Sequence, residues 1–265
     1  MKNSWKKPIS WYGIAALIAV FGSTPVLAQE GGDQSVSQAA NDPTASIMSF
    51  QLQDNYSPNL YNNSGSSNLL QFRAAIPFSW GGYNNIARIT VPVITDSPSG
   101  KTGLSDMTIF NLVAFERDWG RFGVGAVALL PTGESGLGAG KYAIGPAFGF
   151  AARQEKLLWG LFNQNLFTVG DRFDGPDVNI STFQPLLNVS LGNGWSTGVS
   201  EMTFVYDWEQ DKFTSLPLGV KLAKLTKIGK RPVQFQMNYE RNFYDDGSGP
   251  EDTIGFTVKL LVPKG

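Results

Sequence analysis

From about residue 45 to the end of the chain, apolar and polar residues alternate in short runs. Over residues 70–79, Leu70, Phe72, Ala74, Ile76 and Phe78 fall on one side of an extended chain, and Gln71, Arg73, Ala75, Pro77 and Ser79 on the other. Ala87, Ile89, Val91 and Val93 oppose Arg88, Thr90 and Pro92 in the same way. Val233, Phe235, Met237 and Tyr239 oppose Gln234, Gln236, Asn238 and Glu240, and Ile254, Phe256, Val258 and Leu260 oppose Gly255, Thr257 and Lys259. Side chains of a strand point alternately to its two faces, so each run predicts a strand with one oily and one hydrophilic face. About twelve strands of roughly ten residues fit the chain, the length that crosses a bilayer.

The connections alternate in length. Long ones cover residues 57–68, 96–103, 131–140, 170–177 and 245–252, and short ones 81–84, 117–120, 154–156, 192–194 and 228–230. Bacterial outer-membrane barrels carry long loops outside and tight turns in the periplasm. The fold class predicted is therefore all-β: a single-domain, antiparallel, up-and-down transmembrane β-barrel over residues 47–265. Closure follows from the solvent, because an open sheet edge in hydrocarbon leaves amides unpaired at several kcal/mol each. Trp80, Tyr83, Trp119, Phe122, Tyr142, Trp159, Trp195, Tyr206, Trp208, Phe243 and Tyr244 gather near strand ends, as interfacial girdles do.

Three stretches depart from clean alternation. Residues 108–116 hold no single register, which a bulge near Phe110 and Asn111 would explain. Asn163, Gln164 and Asn165 put polar groups on both faces. Residues 124–130 are apolar on both faces and rich in Gly and Ala, as where a lumen narrows or strands approach closely.

The first 28 residues read as a secretory signal. Lys2, Lys6 and Lys7 precede a mostly apolar stretch over 9–21, and Val26, Leu27 and Ala28 offer a cleavage site before Gln29. Residues 29–46 are polar and rich in Gly, Gln, Ser and Ala, by length and composition a flexible periplasmic lead-in rather than a barrel plug. Export to the outer membrane of a Gram-negative cell follows, with periplasmic chaperones and the barrel-assembly machinery as partners along the way.

Composition narrows the chemistry. With 0 Cys the chain has no disulfide scaffold and no thiol chemistry. With 0 His it lacks the usual triads, His-ligated zinc and His acid–base work. A net charge of -1 with 16% charged residues gives no basic field for nucleic acid.

Several segments stand out in order along the chain: Gly103-Leu104-Ser105-Asp106, Leu129-Leu130-Pro131-Thr132-Gly133, and Gly138-Ala139-Gly140-Lys141-Tyr142-Ala143-Ile144-Gly145-Pro146-Ala147. Phe183-Gln184-Pro185, Leu216-Pro217-Leu218-Gly219-Val220, Lys227-Ile228-Gly229-Lys230-Arg231-Pro232-Val233 and Leu261-Val262-Pro263-Lys264 follow. Together they resemble the outer-membrane transporter family named for the MetA pathway of phenol degradation. The resemblance implies a small outer-membrane barrel that passes aromatic or other hydrophobic small molecules.

The hydrophilic faces supply the candidate pore lining: Gln71, Arg73, Arg88, Gln184, Asn188, Glu201, Lys221, Gln234, Gln236, Asn238, Glu240 and Lys259. Arg or Lys facing lipid near the midplane would cost about 2–4 kcal/mol, so the charges belong inside. There they either fill a narrow barrel with ion pairs or form an eyelet that selects by charge and size. Pro77 and Pro92 lie on the lumen register of neighbouring strands, and each lacks a ladder donor. They mark either a bend in the wall or a lateral opening. The glycines over 133–140 do not make a phosphate loop, because no Ser or Thr follows Lys141 and no helix is predicted. Asp171, Asp174 and Asp177, and Asp245, Asp246, Glu251 and Asp252, read as solvated loop charge rather than calcium ligands.

The expected function is a passive channel or facilitator for small molecules, surrounded by outer-membrane lipid. It needs no catalytic residue, metal or cofactor. Two other classes stay open: an outer-membrane enzyme working without His, and a structural or adhesion barrel acting through its outer loops.

Overall fold

The computed structural model describes residues 36–262; the segment read as a signal peptide, the start of the lead-in and the last three residues lie outside them. A short helix, α1 (Val36–Ala39), precedes fourteen strands. They are β1 (Met48–Ser57), β2 (Ser67–Trp80), β3 (Tyr83–Asp96), β4 (Gly103–Leu104), β5 (Met107–Arg117), β6 (Gly120–Leu130) and β7 (Lys141–Arg153). Then come β8 (Leu157–Asp171), β9 (Asn179–Gly192), β10 (Trp195–Val199), β11 (Phe204–Asp207), β12 (Lys212–Ile228), β13 (Arg231–Asp245) and β14 (Asp252–Val262).

Sequence neighbours pair antiparallel all the way round, and β1 pairs with β14 to close the ring. The short β4 and β5 both pair with β3, and β10 and β11 both lie between β9 and β12. Each of these two pairs is one interrupted barrel strand, so the wall has 12 strands. No edge is left open, which satisfies the backbone of the wall without water.

Alternation decides which side chains face out. Met237 is 62% exposed on the outer face while its neighbour Gln236 is 3% exposed on the inner one. Leu52, Phe72, Ile76, Val124, Ile144, Phe148, Leu218, Val220, Ile254 and Phe256 form an exposed apolar belt. Trp80, Tyr83, Trp119, Trp159 and Trp195 edge it near the short turns, and Tyr142, Trp208, Phe243 and Tyr244 near the long loops.

Two expectations need correction. The ladders from β3 to β5 and from β5 to β6 hold one register throughout, so there is no bulge at Phe110 and Asn111. The strand is instead apolar on both faces: Phe110 and Leu112 are buried on the inner one, and Asn111 falls on the outer one among Ile109 and Val113. The second correction concerns residues 36–46. They are not a flexible lead-in but a packed segment inside the end of the barrel that carries the short turns. Gln38 donates to the carbonyls of Gln154 and Glu155 in one of those turns at 3.0 and 3.2 Å, and Ala40, Asp42, Thr44 and Ala45 are buried.

Candidate functional site

The lumen has two chemically different walls. Gln51 and Gln53 of β1, Gln234, Gln236 and Asn238 of β13, and Thr257 of β14 make a buried polar wall. Opposite, Phe110, Leu112, Val127, Ala143, Ala147, Phe162 and Leu166 form one apolar cluster carried by β5 to β8. The interior is therefore amphipathic, whereas the pore-lining candidates read from the sequence are all polar or charged.

Two cavities lie along the lumen. The outer one, about 580 Å³, opens toward the long loops and combines polar Gln53, Asn55, Gln71 and Glu240 with apolar Leu69, Ile94 and Leu166. The inner one, about 90 Å³, is bounded by residues 39–43 and by Phe110, Phe162, Lys221 and Lys259. Both are lined by the same four residues, Arg73, Arg88, Gln184 and Glu201. These four form the constriction.

Glu201 reaches the constriction because its strand is broken. Residues 200–203 leave the sheet between β10 and β11, while the Ser200 amide still donates to the Gly219 carbonyl at 3.1 Å. A Cβ at position 219 would fall 2.3 Å from Ser200 Oγ and 2.5 Å from Glu240 Cγ, so the inward break needs glycine beside it. Arg73 Nη1 donates to Glu201 Oε2 at 2.6 Å, and its Nη2 to Gln71 Oε1 at 2.9 Å. Gln184 Nε2 donates to the Glu201 carbonyl at 3.2 Å. Arg88 does otherwise: its guanidinium lies 4.1 Å from the centroid of the Phe110 ring and 5.5 Å from that of Phe162.

The inner mouth is closed by residues 36–46. Lys221 Nζ donates to Asn41 Oδ1 at 3.1 Å, and Lys259 Nζ to the Ala40 carbonyl at 2.8 Å. Asp42 Oδ1 accepts from the amide and hydroxyl of Thr44 at 2.8 and 2.6 Å, which curls the segment. Arg121 donates to the Thr44 carbonyl at 2.9 Å and pairs with Asp42 at 3.4 Å, both side chains being buried, and with Glu116.

The twelve residues expected on the lumen side all point inward or lie buried in the wall. Gln71, Arg73, Arg88, Gln184, Glu201, Lys221, Glu240 and Lys259 line the cavities. Asn188, Gln234, Gln236 and Asn238 are buried and line neither. The ladder from β2 to β3 runs unbroken from the Leu69–Ile94 pair to the Trp80–Tyr83 pair, through both Pro77 and Pro92, so these two strands do not part at either proline. On the other side of β3, pairing with β5 stops at Thr90 and pairing with β4 resumes at Val93. Pro92 sits in that interruption and accepts from the Ser105 amide at 2.9 Å. Phe110, Phe162 and residues 36–46 escaped the sequence reading. The doubtful register over 108–116 was the only trace of the first.

With this geometry in view, comparison with solved structures places the architecture. An outer-membrane channel from Pseudomonas putida F1 superposes with TM-score 0.60 at 11% identity, over 82% of this chain and 94% of that one. The fold is an outer-membrane β-barrel. The NanC porin superposes with TM-score 0.53 at 8% identity, over 82% of this chain and 100% of that one. Outer membrane phospholipase A from Escherichia coli has TM-score 0.43 at 9% identity, over 82% and 92%. No family model and no curated protein matches the chain.

Two further arrangements hold the barrel's wall and loops. Asp106, in the interruption between β4 and β5, accepts from the Gly133 amide on Oδ1 and from the Gly140 amide on Oδ2, both at 2.9 Å. Thr132 Oγ1 donates to the Ser105 carbonyl and accepts from the Met107 amide. Sequence segments 103–106, 129–133 and 138–147 thus converge on one knot that fixes the loop between β6 and β7. In the acidic loops, Lys141 lies 3.5 Å from both Asp171 and Asp177. Arg241 pairs with Glu251 and Asp252, and Lys212 with Asp246 at 2.6 Å. The Lys212 hydrogen bond holds the Asp246 carboxyl below its ordinary value.

The second arrangement faces outward. Gln164 and Leu166 line the outer cavity, so Asn163 and Asn165 point the other way. Asn165 Nδ2 donates to the Pro146 carbonyl at 3.0 Å and to Asn163 Oδ1 at 2.6 Å. Ser181 Oγ donates to Asn165 Oδ1, and Trp208 Nε1 to Ser181 Oγ at 2.8 Å. Pro146 has no N–H, and the ladder from β7 to β8 skips Gly145 and Pro146. Asn165 serves the Pro146 carbonyl in this gap, and Asn163, which donates to the Thr182 carbonyl, holds Asn165 in place.

Proposed function

We propose that the chain is an outer-membrane channel through which small molecules, aromatic and hydrophobic ones among them, pass without energy input. The observation that carries this reading is the pair of cavities, lying inside a closed barrel and meeting at one constriction of Arg73, Arg88, Gln184 and Glu201. The exposed apolar belt supports a lipid surrounding, and the resemblance to the phenol-pathway transporters supports a solute of low polarity. An amphipathic lumen suits such solutes, since a purely polar one would offer their apolar surface nothing in exchange for water.

In this reading the short turns face the periplasm. Residues 1–28 export the chain and are cleaved, and assembly proceeds through periplasmic chaperones and the barrel-assembly machinery. Residues 36–46 then stand on the periplasmic side and must shift for a solute to leave the inner cavity. The pathway works by lining and size alone and involves no catalysis.

Proteoliposomes containing the purified protein test the proposal. Influx of benzyl alcohol and of small neutral sugars is compared with that of protein-free vesicles. Faster entry of the aromatic alcohol is expected. Equal rates in the two preparations for every solute would overturn the channel reading.

A further inference from the structure

We propose that the constriction holds the acidic group of a small amphipathic anion, with Arg88 as its anchor and Phe110 and Phe162 beside its apolar body. The inference rests on reading the lumen as a solute pathway and specifies the class of solute.

The two arginines of the constriction are unequally paired. Arg73 and Arg88 come from adjacent strands and line the same two cavities. Arg73 is matched by Glu201 at 2.6 Å. Arg88 forms an ion pair with no carboxylate among the described residues, and the Nε atoms of both arginines are buried without a partner. Two more cations border the inner cavity, and both give their protons to uncharged oxygens: Lys221 to Asn41 and Lys259 to Ala40. Asp42, the other carboxylate there, is engaged by Arg121. Glu240 and Asp96 line the outer cavity only. The inner side of the constriction therefore carries surplus positive charge in a place poor in water, a costly arrangement unless an anion shares the site.

Shape fixes the rest of the ligand. Guanidinium presents a planar fork of donors that matches a carboxylate. Arg88 is held by the phenyl rings of Phe110 and Phe162, 4.1 and 5.5 Å from its Cζ, while no carboxylate among the described residues forms an ion pair with it. The same rings give an aromatic or short aliphatic body a surface in contact with the cation. Both rings border the inner cavity, about 90 Å³, so the apolar body lies on that side of Arg88, while the outer cavity, about 580 Å³ and also bordered by Arg88, gives the solute its approach.

Equilibrium dialysis of benzoate and its neutral isostere benzamide against the purified full-length barrel in nanodiscs tests this. Benzoate is expected to bind at least about tenfold more tightly than benzamide. Arg88→Gln should abolish the difference and Arg88→Lys restore part of it, with benzamide unaffected by either. Equal binding of the two probes by the unmodified protein, which needs no variant, overturns the proposal. So does a benzoate preference that survives Arg88→Gln. Dialysis reads binding and not passage: a barrel that prefers benzoate yet conducts nothing refutes the channel reading alone. One that passes neutral solutes but ignores charge refutes this inference alone.

Discussion

Lys259, on the last strand of the barrel, donates its Nζ proton to the carbonyl of Ala40 at 2.8 Å. A lumen cation that the strand pattern assigns to pore lining thus also tethers the segment that closes the inner mouth. Lys221 does the same through Asn41. Replacing both lysines by methionine removes two charge-assisted hydrogen bonds while keeping the length of the side chains. Each such bond contributes about 1.5–3 kcal/mol. Amide exchange over residues 38–45 should speed up by at least about tenfold in the double variant, with the strands unchanged. Unchanged exchange would show that the contacts of Arg121 and Gln38 suffice to hold the segment.

The outer loop between β6 and β7 depends on Asp106. Asp106→Ala leaves the amides of Gly133 and Gly140 without their acceptor, at about 1–3 kcal/mol each. Gly138→Ala attacks the same contact from the other side, because its Cβ would fall 2.4 Å from the Asp106 carboxylate. Both variants should fold, yet be cut by protease within 131–140 where the parent chain resists. Resistance in both would exclude the clamp.

Most of the wall was legible in the sequence, because lipid outside and water inside impose a two-residue period on any strand that separates them. The run from Val233 to Glu240 shows it most cleanly, with Met237 exposed and Gln234, Gln236 and Asn238 buried. Where that premise fails, the reading failed too. Phe110 and Leu112 face inward, so β5 looks out of register although its ladder is regular. Residues 36–46 have no period and little apolar surface. Hydrogen bonds from Lys221, Lys259 and Arg121 hold them, and no local pattern announces partners about 80 to 220 positions away. A further connection at the long-loop end, over 208–211, was too tight to be counted among the loops.

Asn163 and Asn165 were legible as polar residues on both faces, but not as a patch over Pro146. Asn165→Leu makes the outer face more apolar and yet should destabilise the barrel, by about 2 kcal/mol, through the unpaired Pro146 carbonyl. A lower midpoint in urea unfolding from lipid vesicles is expected. A raised midpoint would mean that the lipid-facing apolar surface outweighs the backbone repair.

Acid should loosen the loop over 246–251. The hydrogen bond from Lys212 depresses the Asp246 carboxyl, so the contact is complete above about pH 4, the ordinary Asp value, and fades as pH falls through the lower folded one. An NMR titration of Asp246 should show a midpoint below the usual carboxylate range, rising toward it in Lys212→Met. The pair is exposed, so the change in global stability should be small. An unmoved midpoint in the variant would assign the depression to another group.

The central claim is that a continuous passage runs through the barrel and that residues 36–46 restrict it. Planar-bilayer recording of the full chain beside a variant lacking residues 36–46 measures this directly. The account predicts small unitary steps from the full chain and steps several-fold larger from the variant. Silence from both, with each inserted and folded in the membrane, would contradict it.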